Sequence, residues 1–204
     1  MGTATGAAKA RAKSTEPESP RERILRCATE LLAEGGPAAL TLRTVGKRVG
    51  LHNSSLFHHF PGKRDIMEVV LGRVSEGLRT RLEPLAQNDP PTLDALADVL
   101  LSVSDHYAAS RNEARCALRL LLEPELGGSR AGQGATALWS WLARAQASGA
   151  IRAVSVGHAA RNLLSMVLLD PVWSATGAPE SDRDRDRRRT ELTAFVHGAL
   201  APVA

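Results

Sequence analysis

From Thr41 to Arg64 the chain reads TLRTVGKRVGLHNSSLFHHFPGKR, and the placing of its glycines and apolar residues leaves few ways to fold it. Thr41 is a good N-cap, and Leu42, Val45 and Val49 then recur on one face of a short helix. Gly50 stands where a glycine just past the last turn stops a helix. A second short helix is expected from about Asn53 or Ser54, either of which can cap it. It should carry Leu56, His59 and Phe60 inward before Pro61-Gly62 closes the unit. Two short helices joined by a glycine-containing turn make a helix-turn-helix, a unit whose second helix enters the major groove of DNA. Gly46, four residues before Gly50, costs ~1 kcal/mol relative to alanine inside a helix, and a close crossing of the two helices would explain it.

Charge points the same way. From Gly35 to Arg64 there is no Asp or Glu, while Arg43, Lys47, Arg48, Lys63 and Arg64 are basic. The net charge of +4 is also unevenly spread. Residues 1–70 hold 11 Lys+Arg against 7 Asp+Glu, and residues 71–204 hold 15 of each. The whole excess sits on the segment with the helix-turn-helix pattern, which argues for an anionic partner of that part alone. Charge does not separate DNA from other polyanions. A helical hairpin with a solvated basic face is the competing reading.

The run LTLRTVGKRVGLHNSSLFHHFPGKRDIMEVV resembles the DNA-binding segment of tetracycline-repressor (TetR) type regulators. Their pattern is a capping Thr, Ile/Val-Ala, Ala-Gly-Val, a small polar trio, Leu-Tyr-x-His/Tyr-Phe and then x-x-Lys-x-x-Leu. Here Gly46 replaces the usual Ala, Val49 sits where Ala is frequent, Phe57 replaces the common Tyr, and Arg64 replaces the common Glu. Of these only Phe57 bears on function, because the Tyr hydroxyl commonly reaches a phosphate and Phe has none. The resemblance implies a cytoplasmic transcriptional regulator, a repressor rather than an activator, acting as a homodimer on double-stranded palindromic operator DNA. It also implies a small apolar or amphipathic effector held in a helical body.

The rest of the chain reads as helical. Hydrophobic residues make up 43% with only 3 Trp, 1 Tyr and 3 Phe, and no segment alternates as a strand would. Residues 1–19 read as a disordered basic tail, in which Lys9, Arg11 and Lys13 form either a minor-groove arm or a solvated tail. A first helix is expected from Pro20 to about Ala33, ended by Gly35-Gly36-Pro37. A long helix should start at Lys63 or Arg64 and run to Leu82, with Pro84 ending it; its free amides and Lys63 make a natural phosphate site. Further helices are expected at 92–109, 111–122, 133–148, 155–169 and 187–201. Gly127 to Gly134 reads as a connector, and SDRDRDRRR at 181–189 as a solvated loop or fraying helix start. Cys27 and Cys116 lie far apart, without zinc spacing, and suit a reducing cytosol. There is no secretory core and no 18-residue apolar run, so a soluble intracellular protein is expected.

Candidate site residues divide between the two ends of the chain. His52, Asn53, Ser54, Ser55 and His58 are placed to face bases or phosphates, Thr41 and Arg43 to touch phosphate, and Phe57 and Lys63 complete the DNA-facing set. His59 is expected inside the unit. Metal binding by His58-His59 is not favoured, since neighbours on a helix point about 100° apart. In the C-terminal part, His106, Tyr107, Cys116, Leu120, Trp139, Asn162, Met166, Asp170 and Trp173 are candidates to line an effector pocket, against plain core packing. Trp139 and Trp141 lie about 200° apart around a helix, so one should look inward and one outward. Asn162 and Asp170 would either orient a ligand or bridge subunits.

No nucleophile elbow, His-Glu-x-x-His or dinucleotide fingerprint occurs, so no enzyme, cofactor or metal is expected. The expected fold is all-α: a tail at 1–19, a three-helix helix-turn-helix head at 20–64, and a helical ligand-binding and dimerisation body at 65–204. The helices near 155–170 and 187–201 should pair across a dimer. Two alternatives stay open: a helix-turn-helix regulator without a small-molecule effector, and a helical adaptor or enzyme with a basic face.

Overall fold

The computed structural model describes residues 18–123, 126, 133–173 and 181–202, apart from the side chains of Asn53, Gln133, Pro171, Trp173 and Asp182. All regular structure among them is helical. The tail cations Lys9, Arg11 and Lys13, and most of the glycine-rich connector, lie outside these residues.

Helix α1 (Pro20–Ala39) opens with Pro at its first position and Ser19 Oγ accepting from the Glu22 amide at 3.2 Å. The expected break comes at Gly36, with φ 66° and ψ −161°, and the chain then resumes one helical turn to Ala39. Pro37 permits that turn because it stands at its start, where no amide hydrogen is required. Helix α2 (Leu42–Val49) is capped by Thr41, whose Oγ1 accepts from the Thr44 amide at 3.0 Å. It ends at left-handed Gly50, φ 70°, whose amide bonds the Gly46 carbonyl. Helix α3 (Asn53–His59) follows with His52 at the cap and no side-chain cap bond.

Leu56 and Phe60 are buried in α3's inward seam, 0% and 2% exposed. His59, expected inward, is exposed. The helix is only two turns long, Leu56 and Phe60 fill its narrow apolar seam, and the corner at Pro61-Gly62 leaves His59 on the outside.

Helix α4 (Lys63–Leu82) ends as expected, but Pro84 then opens the short α5 (Pro84–Gln87). Helices α6 (Leu93–Ala108), α7 (Arg111–Leu122), α8 (Thr136–Ala147, after a 3-10 turn at Gln133–Ala135), α9 (Val156–Trp173) and α10 (Asp182–Leu200) complete the order. Their buried side chains form one core with those of α1 to α4.

Polar bonds tie the layers where the core alone would not fix their register. Tyr107 Oη donates to the Val74 carbonyl at 3.1 Å, Trp141 Nε1 to Asn88 Oδ1 at 2.8 Å, and Arg144 to the Leu85 carbonyl at 2.8 Å. Trp141 is fully buried and Trp139 is 40% exposed, the inward-outward pair their spacing requires.

Of the two readings of 181–189, solvated loop or helix start, the structure has the helix start, from Asp182. Ser181 Oγ accepts from the Asp184 amide at 3.2 Å, and the arginines that follow grip α6. Arg188 pairs with Asp105 at 2.5 Å and Asp170 at 3.4 Å, Arg185 also pairs with Asp105, and Arg189 pairs with Asp98. His197 reaches Asp94 at 2.9 Å. No described helix is long and apolar enough to cross a membrane.

Candidate nucleic-acid interface

The geometry of α2 and α3 decides which polar groups face outward. Val45 and Gly46 of α2 and Leu56 of α3 are buried, which fixes both helices' rotation. Thr41, Arg43 and Lys47 of α2's stretch, and His52, Ser54, Phe57 and His58 around α3, are left exposed, with Ser55 half-buried. The side chain of Asn53 lies outside the described residues. Thr41 Oγ1 also meets Thr44 Oγ1 at 2.7 Å, so its hydroxyl is already engaged in capping.

The five cations of the acid-free stretch have different fates. Arg48 turns back onto α1, where it pairs with Glu34 at 2.8 Å. That bond holds the Glu34 carboxyl below its usual range. Lys63 is half-buried, and its ammonium donates to the Pro37 carbonyl, stapling the start of α4 to the last turn of α1. Arg43, Lys47 and Arg64 are exposed and enter no ion pair among the described residues. Lys47, Arg64 and His59, which the spacing argument had not selected, are thus exposed as well; for the two cations, the missing carboxylates were the available signal. At the entrance to α1, the Arg21 guanidinium stacks 4.9 Å from the Phe60 ring and supports the end of α3.

The residues considered for an effector pocket differ in exposure. Tyr107, Cys116 and Leu120 are buried, His106 and Met166 are half-buried, and Trp139, Asn162 and Asp170 are exposed. The side chain of Trp173 lies outside the described residues. Burial pushes the Cys116 thiol up to about 12, its Sγ lying 3.7 Å from the Thr29 carbonyl of α1. A polar cleft of about 390 Å³ lies elsewhere, between α1, α4 and the start of α7, walled by Glu22, Arg26, Glu30, Arg73, Asn112 and Glu113 among others. Among the described residues no group of His, Cys, Asp or Glu is placed to hold a metal.

An all-α chain whose α2–turn–α3 unit presents an acid-free, cationic face is a helix-turn-helix protein. Residues 24–70 match the family model of the bacterial regulatory proteins, tetR family, a match that spans the helix-turn-helix and the start of α4. It is 33% identical over 79 residues to the HTH-type transcriptional repressor KstR2 of Mycolicibacterium smegmatis, covering 35% of this chain and 38% of that protein. It is 26% identical over 115 residues to the nucleoid occlusion factor SlmA of a Marinomonas species, 56% of each. The chain thus spans 38% of that KstR2's length and 56% of that SlmA's. Its fold is similar to the solved structure of the ketosteroid transcriptional regulator KstR2 of Mycobacterium tuberculosis. The TM-score is 0.69 at 20% identity, over 92% of this chain and 98% of that one.

Proposed function

We propose that the protein is a DNA-binding transcriptional regulator, a homodimeric repressor of a palindromic operator that a small-molecule effector releases. The observation that carries the reading is the exposed face of α2 and α3, where Arg43 and Lys47 stand without carboxylate partners beside an outward-facing short helix. Such cations attract phosphates at a strength that falls with salt. The head at 20–64 would dock on DNA and the body at 65–204 would dimerise and respond.

Dimerisation through α9 and α10 is supported by their exposed apolar side chains, Leu169 at 41% and Phe195 at 51%. Asn162 is exposed on α9, whereas Asp170 at the same helix's end pairs with Arg188 of α10 at 3.4 Å. Two-fold symmetry would set two recognition helices ~34–36 Å apart, in successive major grooves. A ligand preferring another head separation would then weaken DNA affinity.

The test is selection of genomic fragments by the purified protein, followed by titration at several salt concentrations. A recurring palindrome bound far above random DNA supports the regulator. Uniform weak binding that fades with salt sinks it, and leaves an adaptor with a basic face.

A further inference from the structure

Phe57 stands out on the α3 surface. It is 53% exposed, and the other large exposed apolar side chains among the described residues, Leu122, Trp139, Leu169 and Phe195, all lie beyond α6. Its outward position follows from the fold. Leu56, its neighbour about 100° around the helix, is fully buried, as is Phe60, so the ring of Phe57 turns away from the core. Ser54, one turn earlier on the same face, is also exposed, as is His58.

A ring so placed has no hydroxyl with which to bond a phosphate, and water is a poor environment for it. The stretch that carries it, Gly35 to Arg64, is cationic and holds no Asp or Glu, which suits a nucleic acid and not an apolar protein surface. In the major groove the apolar feature that a base edge offers is the C5-methyl group of thymine. We propose that Phe57 is a specificity-determining residue that packs on thymine methyl groups of the operator half-site. This rests on the DNA-binding function proposed above.

The experiment uses the full chain and the palindrome it selects from genomic DNA, with each half-site thymine replaced in turn by deoxyuridine. That change removes one methyl group and leaves base pairing intact. Wild-type affinity should fall about fourfold per methyl lost at one or two positions, since burying a methyl-sized group is worth ~0.8 kcal/mol. Phe57→Ala should bind the thymine operator more weakly and be indifferent to uracil at those positions. Phe57→Tyr should retain the discrimination. Thermal melting of each variant checks that the exposed substitution leaves the fold intact. An operator bound tightly by the wild type but indifferent to uracil throughout overturns the proposal alone, as does a Phe57→Ala protein equally sensitive to it. A protein that selects no operator overturns the DNA-binding reading and the proposal with it.

Discussion

The guanidinium of Arg119, on α7, lies against Gly36 at the kink of α1: a Cβ placed on Gly36 would come within 2.9 Å of Nη1 and 3.0 Å of Cζ. Arg119 Nε donates to the Leu32 carbonyl at 3.1 Å, and its Nη1 pairs with Glu123 at 3.4 Å. The kink frees carbonyls at the end of α1's regular part, and a side chain from α7 satisfies one of them. The helix bracing α2 and α3 is thereby tied to the body by a polar bond as well as by its apolar face.

Gly36→Ala should therefore destabilise the protein. At φ 66° and ψ −161° the backbone lies where L residues are strained, a penalty on the order of 1–3 kcal/mol, and the added methyl would also displace Arg119. A chain of this size should lose roughly 2–4 °C of melting temperature per kcal/mol. Gly50→Asn is the comparison, since φ 70° and ψ 32° suit asparagine and no atom lies within 4 Å of its Cβ position. If the two variants melt together, the Arg119 contact and the unusual ψ carry no weight.

Asn88 supplies the second case. Its Oδ1 accepts from the Trp141 indole at 2.8 Å and from the Thr92 amide at 3.0 Å, at the corner between α5 and α6. Asn88→Leu leaves the indole N–H of a fully buried Trp without a partner, at a cost of about 1–3 kcal/mol. Asn88→Asp keeps an acceptor and should lose less in a denaturant titration. Equal losses would show that the corner needs the amide for another reason.

The head was legible because its signals are local. Thr41, Gly50 and the apolar residues between them act within one turn of themselves, so spacing suffices to place them. What failed depended on distant partners. Nothing near Arg188 and Arg189 in sequence announces that their partners Asp105 and Asp98, 83 and 91 residues earlier, wait on one stripe of α6. A run of alternating Asp and Arg therefore read as a solvated loop or a fraying helix start, while the structure makes it a firm helix start held largely by charge. His59 failed for a related reason: heptad-style spacing assumes a helix long enough to have a wide buried face, and α3 has seven residues. The withdrawal of Arg48 by Glu34 and of Lys63 by Pro37 was likewise invisible, because sequence counts cations without showing which are already bound.

His106 should make stability depend on pH near neutrality. It is half-buried, its ring 4.8 Å from that of Tyr107, with Gly77 of α4 beside it. Burial, then the nearby Arg81 charge, lower its pKa below 6.5, although Glu113 stands 3.7 Å away and favours the charged ring. The folded state thus resists protonation more than the unfolded chain does. The stability this contributes is fully present above pH 6.5 and is lost as pH falls from there toward the lower folded value. Against the wild type, His106→Gln should show a shallower loss of melting temperature between pH 7 and 5.5. Parallel curves would mean that Glu113 cancels the burial.

The same partner logic predicts which cations act on DNA. Arg43 and Lys47 are exposed without ion pairs, whereas Arg48 is held by Glu34 at 2.8 Å. Each phosphate contact steepens the fall of log affinity with log salt by about 0.9. In a dimer, Arg43→Ala or Lys47→Ala removes two such contacts and should flatten that slope by about 2, weakening binding to specific and random DNA alike. Arg48→Ala should leave the slope unchanged, because its charge is already neutralised within the protein. Titrations of all three across a range of salt decide the matter. A slope that flattens equally for Arg48→Ala would mean that the Glu34 pair opens on DNA and that the cationic face is wider than the free protein shows.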